Sequence, residues 1–194
     1  MATTPTSHLN FPPEILVKAQ GAGAGIKAAI FDVDGVLTDG TIWITEAGET
    51  LKNFNVLDGQ GLLMLRKGGI TPIVITGRDS AAVRRRVSDL GLPHASFGAS
   101  DKVAAANDIL QQLGVDWGDV AVIGDDWPDL PLFACAGFAC APANAHAEAR
   151  GAAAWVTERE GGRGAAREFC DLLLMANGLY APLMTKLLVT LDSK

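Results

Sequence analysis

The 194-residue chain contains no apolar run approaching the ~20 residues that a membrane-spanning helix needs, so no membrane insertion is expected. Its N-terminus has no basic segment leading into an apolar stretch, and no signal peptide is expected either. Cysteine is scarce. Cys135, Cys140 and Cys170 are odd in number and lack the spacing of zinc ligands, which reads as reduced, mostly buried thiols in a cytoplasmic protein. Clustered positive charge is scarce too. The net charge is −6, and the one basic cluster, Arg84-Arg85-Arg86, lies in a helical pattern and is expected to face solvent rather than nucleic acid. The chain as a whole is 48% hydrophobic and 20% charged, a balance that suits one globular domain with a sizeable core and not a disordered chain.

The chemistry gathers at residues 28–40, AAIFDVDGVLTDG. Ala28, Ala29, Ile30 and Phe31 form a short apolar run of the kind that makes a strand buried on both faces. Asp32 and Asp34 follow at once, and Gly35 releases the backbone into a turn. A buried carboxylate is costly unless a metal ion or a proton compensates it. In an open parallel α/β sheet, ligands bind in the crevice at the carboxyl ends of the strands. Two carboxylates at a strand end therefore point to function, with a plain turn as the simpler alternative. A calcium loop is excluded. Its fifth, sixth and twelfth positions counted from Asp32 hold Val36, Leu37 and Trp43, where an oxygen ligand, Gly and Glu are required. The alternating Gly21–Gly25 stretch is no dinucleotide fingerprint, since its spacing is wrong and it precedes a strand.

Strand and helix patterns alternate through the rest of the chain and predict a doubly wound, mostly parallel α/β sheet. Residues 1–25 read as a loose arm with a turn or two of helix at 14–19. A hairpin is expected within 41–55, and Trp43 there packs either on its own core or against a neighbouring subunit. Helices are expected at Asp58–Lys67 with Asp58 as N-cap, at Asp79–Leu90, at Asp101–Leu113, at Asn144–Arg150, from Arg163 to Ala176 and at Leu179–Leu191. Asp126 or Trp127 caps a further turn with Pro128 at its start. Strands are expected at Ile70–Ile75, Ala95–Phe97, Val120–Ile123, Gly137–Cys140 and Ala153–Val156.

Three further stretches come after Asp32 and Asp34 in order. Thr76-Gly77-Arg78 ends one apolar run, Lys102 opens a helix after Asp101, and Gly124-Asp125-Asp126-Trp127-Pro128-Asp129 ends another. Alone, the first reads as an ordinary strand-to-helix turn and Lys102 as a solvated lysine. Together the set resembles the haloacid dehalogenase superfamily of phosphohydrolases, with its D-x-D-x-[TV], Thr/Ser, Lys and G-D-x-x-x-D pattern. The resemblance implies that Asp32 is the nucleophile, able to attack phosphorus and form an aspartyl-phosphate. Asp34 is the acid and base, protonating the leaving oxygen and then activating water. Mg²⁺ is held by Asp32, Asp125 and the backbone carbonyl of Asp34, with Asp129 and Asp126 behind them. Lys102, Thr76, Gly77 and Arg78 bind the phosphate. The stretches from Asp34 to Thr76 and from Thr76 to Lys102 are too short for the extra cap domain that many members carry.

DVDGVLTDG, the hairpin, FNVLDGQG at 54–61, ITGR at 75–78, GDDWPDLP at 124–131 and GGRGAAREFCDLLL at 161–174 are similar to the 3-deoxy-D-manno-octulosonate 8-phosphate (Kdo 8-phosphate) phosphatases within that superfamily. This implies a phosphatase domain over 26–178, a C-terminal segment over 179–194, and a capless, Mg²⁺-dependent homotetramer acting on a phosphorylated sugar acid in lipopolysaccharide synthesis. In that family the hairpins meet at the tetramer centre and the C-terminal segment can reach a neighbouring site. Arg163, with Arg167 beside it, would bind the substrate's carboxylate, a surface loop Arg being the alternative. Many members have Arg where this chain has Leu57, and Asn or Ile where it has Trp127 or Pro128. Phosphatases of nine-carbon sialic-type acid 9-phosphates, broad-specificity phosphatases and non-catalytic oligomerising domains remain as alternatives.

Overall fold

The computed structural model describes residues 7–22 and 25–192. The chain runs α1 (Pro13–Lys18), β1 (Ala28–Phe31), a hairpin of β2 (Trp43–Thr45) and β3 (Gly48–Leu51), α2 (Val56–Gly68), β4 (Thr71–Thr76), α3 (Ala81–Asp89), β5 (His94–Phe97), α4 (Lys102–Leu113), β6 (Val120–Ile123), α5 (Leu130–Cys135), β7 (Phe138–Ala141), α6 (Ala147–Ala152), β8 (Trp155–Val156), α7 (Ala165–Ala176) and α8 (Tyr180–Asp192). Six strands form one sheet in the order β5-β4-β1-β6-β7-β8, every pair parallel, while β2 and β3 form a separate antiparallel ribbon. From β1 the chain winds outward through β4 to β5. It then crosses back to β6 and winds the other way. The reversal falls between β1 and β6, and a crevice opens where neighbouring connections diverge.

All four residues of β1 are buried. Successive side chains of a strand point to opposite faces. Ala29 and Phe31 enter a core shared with Leu62 and Leu65 of α2 and Phe169 and Leu173 of α7. Ala28 and Ile30 enter a second core with Ala106 and Leu110 of α4, Leu132 of α5 and Ala149 of α6. Phe169 meets Phe31 edge-on at 5.5 Å between centroids and stacks on Phe138 at 6.5 Å. The sheet is thus covered on both sides, as a parallel sheet must be. Between Asp34 and Thr76 stand only the hairpin and α2, and between Thr76 and Lys102 only α3 and β5. No cap domain is inserted at either place.

Several boundaries differ from the sequence reading. The hairpin strands end at Leu51, and 52–55 is irregular. α2 begins at Val56 because Asn55 caps it, its side chain accepting the Leu57 N–H at 2.8 Å. Asp58 is therefore not the N-cap of its own helix. Asp79 lies before α3 and binds Arg84 through both carboxylate oxygens, at 2.7 and 2.8 Å. α7 starts at Ala165 rather than Arg163, because Gly162 and Gly164 take φ of +65° and +106°, outside helical space. Residues 7–22 of the expected loose arm are fixed to the domain. Phe11 and Ala19 are buried, and Phe11 meets Trp155 edge-on at 5.7 Å. Residues 1–6 and 23–24 of the arm, and 193–194 of the C-terminal segment, lie outside the described residues.

Candidate active site

β1 and β6 are neighbours in register, Phe31 opposite Ile123, so the loops after both strands emerge at the same end of the sheet. Asp32 comes directly after β1 and donates its backbone N–H to the Ile123 carbonyl at 3.1 Å. Asp125 comes after β6, one residue beyond Gly124. The chain then makes a 3-10 turn, Trp127–Asp129, capped reciprocally by Asp126 and Asp129. Asp129 folds back against Gly124 so closely that a Cβ there would stand 2.4 Å from the Asp129 Cβ. Asp129 Oδ2 accepts the Asp125 N–H at 3.0 Å, and its Oδ1 accepts Lys102 Nζ at 2.7 Å. Lys102 Nζ donates also to Asp32 Oδ1 at 2.8 Å. Lys102 is the first residue of α4, which Asp101 caps by accepting the Ala104 N–H at 2.9 Å.

Oxygens of Asp32, Asp125 and Asp129 lie within 4.8 Å of one another, with the Lys102 ammonium bonded to two of the three side chains. Burial pushes the Asp125 carboxyl up to about 8, reinforced by the charges of Asp32, Asp129 and Asp126. Burial also pushes Asp32 up to about 6, with Asp129 adding to it and Lys102 opposing. Burial would lower Lys102, but Asp32 and Asp129 outweigh it and hold its pKa above the ordinary value. Three carboxylates against one ammonium leave a deficit of positive charge. An all-oxygen donor set of this kind suits a hard divalent cation such as Mg²⁺. Both oxygens of Asp129 are engaged by protein donors, so it braces the cluster.

A cavity of about 310 Å³ opens over this cluster. Asp32, Asp34, Thr76, Gly77, Arg78, Lys102, Asp125, Asp126 and Asp129 all line it. Thr76, at the end of β4, is buried, and its Oγ1 accepts the Arg78 N–H at 3.2 Å. The turn after Asp34 is wound around Thr38, whose Oγ1 donates to the Val33 carbonyl at 3.3 Å and accepts from Gly40 N–H at 3.3 Å. The 161–164 loop closes on that turn backbone to backbone. Gly162 N–H donates to the Val36 carbonyl at 2.9 Å, and a Cβ on Gly161 would stand 1.7 Å from the Gly35 oxygen. This packing explains the glycines of GGRG but carries Arg163 elsewhere. Arg163 lines a second cavity with Asp39, Asn53 and Asn55, and lies 3.6 Å from Glu160.

The sequence reading missed Lys52 and Glu49. Lys52 Nζ donates to Asp34 Oδ1 and lies 3.0 Å from Glu49 Oε1, with its side chain only 1% exposed. Arg78 donates to Glu49 Oε2, and its Nε lies 3.8 Å from Asp34 Oδ2. Asp34, Glu49, Lys52 and Arg78 thus form one network of two acids and two bases, and two of the four, Glu49 and Lys52, come from the hairpin and its base. Their only trace in the sequence is a Glu and a Lys three apart at the end of a strand pattern, which is common on surfaces.

A parallel sheet with an aspartate cluster and a buried lysine at its switch point fits a haloacid dehalogenase-like hydrolase, and the profile of that family matches residues 96–169. The 3-deoxy-D-manno-octulosonate 8-phosphate phosphatase KdsC of Salmonella typhimurium is 41% identical over 177 residues, covering 91% of this chain and 92% of that protein. The KdsC of Haemophilus influenzae is 44% identical, covering 79% and 85%. The crystal structure of the Moraxella catarrhalis enzyme in complex with magnesium ion, phosphate ion and Kdo superimposes with a TM-score of 0.81 at 40% identity, covering 89% and 97%. The chain belongs to the Kdo 8-phosphate phosphatase family and is a phosphoric monoester hydrolase.

Proposed function

We propose that the protein hydrolyses Kdo 8-phosphate to Kdo and phosphate with Mg²⁺, through an aspartyl-phosphate on Asp32, in the cytoplasmic synthesis of a lipopolysaccharide precursor. The observation that carries the reaction is the grouping of Asp32, Asp34, Thr76, Lys102 and Asp125 around one cavity at the switch point of the sheet. The named relatives support the choice of sugar acid.

An Asp32 oxygen attacks phosphorus, the ester P–O bond breaks, and the leaving sugar oxygen takes a proton from Asp34. Asp34 then accepts a proton from water as that water attacks the phosphoryl group. The bond from phosphorus to Asp32 breaks and inorganic phosphate leaves. Lys102, the Thr76 hydroxyl, the Gly77 N–H and Arg78 bind the phosphoryl oxygens. A divalent cation held by Asp32, Asp125 and the Asp34 carbonyl would offset the repulsion between a carboxylate and a phosphate dianion. Arg163, from its neighbouring cavity, is proposed to meet the substrate's carboxylate in its own or an adjoining subunit.

Leu57 is half-exposed on the first turn of α2, beside Val56, which lines the Arg163 cavity. A guanidinium is missing there relative to many family members, which favours testing a sialic-type acid 9-phosphate as a second substrate. The experiment is phosphate release from Kdo 8-phosphate, a sialic acid 9-phosphate, a plain sugar phosphate and an aryl phosphate, with Mg²⁺ and with EDTA. Mg²⁺-dependent turnover favouring Kdo 8-phosphate is expected. Equal turnover of all four would overturn the assignment of substrate, and none of any would overturn the reaction.

A further inference from the structure

We propose that Lys52 is a positioning residue of this phosphatase site, fixing the Asp34 carboxylate toward the leaving oxygen and making the folded hairpin a requirement of the chemical step. The inference rests on the reading of Asp34 as acid and base. Lys52 lies just beyond β3, on irregular backbone, yet its side chain is almost wholly buried. An ammonium does not stay buried without strong compensation. Its compensation is Asp34 on one side and Glu49 on the other. Glu49 also binds Arg78, a lining residue of the catalytic cavity, so the hairpin grips two residues of the site at once.

Lys52 itself is absent from the cavity lining. It therefore acts through Asp34 rather than on substrate. A carboxylate at the end of a strand has rotamer freedom that proton transfer cannot tolerate, and misplacement by about 1 Å costs on the order of a hundredfold in rate. Proton delivery matters most when the leaving oxygen is a poor leaving group. A sugar alkoxide needs the proton, whereas a nitrophenolate leaves with little help. Misplacing the acid should therefore depress sugar phosphate turnover more than aryl phosphate turnover, a pattern that general loss of structure would not produce.

The test compares wild type, Lys52→Met and Lys52→Arg on Kdo 8-phosphate and on p-nitrophenyl phosphate, with kcat and KM separated. Lys52→Met should lower kcat on the sugar phosphate by about a hundredfold, leave KM within about threefold, and lower kcat on the aryl phosphate clearly less. Lys52→Arg should recover part of the loss. Glu49→Gln, which keeps Lys52, serves as the second probe should Lys52→Met fail to fold, and should show the same leaving-group pattern more weakly. Equal losses on both substrates, or wild-type kcat in folded Lys52→Met, would overturn the positioning role. If wild type hydrolysed neither ester, the phosphatase reading itself would have failed, which is a separate outcome.

Discussion

A methyl group added at Gly35 would stand 2.0 Å from Asp125 Oδ2, and the backbone there takes φ of +89°, which costs a side chain roughly 1–2 kcal/mol. Gly35→Ala should therefore displace Asp125. Calorimetric titration should show Mg²⁺ binding weakened by at least about tenfold while the melting temperature changes by only a few degrees. Unchanged Mg²⁺ affinity would argue that Asp125 is not a ligand. Asp32→Asn acts differently. It removes a buried charge from a crowd of like charges, so the variant should melt no lower than wild type. It also removes the nucleophile, and turnover should fall at least about a thousandfold. Substantial turnover in a folded Asn variant would exclude the covalent route. Asp32 and Asp125 were legible in the sequence because each sits within a step or two of a strand end, where local pattern fixes position. Lys52 was not legible, since its role depends on a hairpin folding back over a residue 18 positions earlier.

The seam between α2 and α7 shows the same limit at the scale of elements. The helical period placed both helices, but their contact is decided by glycine and a borrowed cap. A Cβ on Gly61 would stand 3.0 Å from Cys170 Sγ and 3.2 Å from the Arg167 Cα. Gly61→Ala should destabilise the fold by about 1–3 kcal/mol in chemical denaturation, and a neutral result would mean that the seam opens cheaply. Asp58, read from sequence as the cap of α2, instead caps α7 by accepting the Arg167 N–H at 2.8 Å. Both Asn55 and Asp58 are capping residues, and only the packing distinguishes them. Burial pushes the Asp58 carboxyl up, against the N–H groups of Arg167 and Gly164 and the charges of Arg159 and Arg167. With the folded pKa raised, the group favours folding below its ordinary value of 3.8 and loses that contribution as pH rises through the folded value. Asn keeps the acceptor without the charge. The melting temperature of Asp58→Asn minus that of wild type should then rise between about pH 4 and pH 7. A flat or falling difference would mean that the dipole of α7 stabilises the anion more than burial opposes it.

At the scale of the whole molecule, the hairpin joins two demands. At its base Glu49 and Lys52 are committed to Asp34 and Arg78. Along its length Trp43 and Leu51, paired across the two strands, are 57% and 63% exposed, and Ile44 is 75% exposed. A two-stranded ribbon is marginally stable by itself in water. Apolar side chains grouped on such a ribbon mark an interface rather than a solvated surface. Among the described residues no cap domain stands over the site, so a neighbouring copy is the candidate to shield it. The homotetramer that the family resemblance implies would satisfy both demands, with the hairpins covering one another. Light scattering should give the mass of four chains for wild type, and Trp43→Ser with Leu51→Ser should shift it toward one chain while circular dichroism keeps the α/β signature. Because the hairpin base holds Asp34, the dissociated variant should also lose kcat, and adding Lys52→Met should cost little more, as two changes acting through one path are not additive. A wild-type monomer with full activity would remove the need for assembly. A dissociated variant with wild-type kcat would show that the hairpin holds its catalytic base without a neighbour's help.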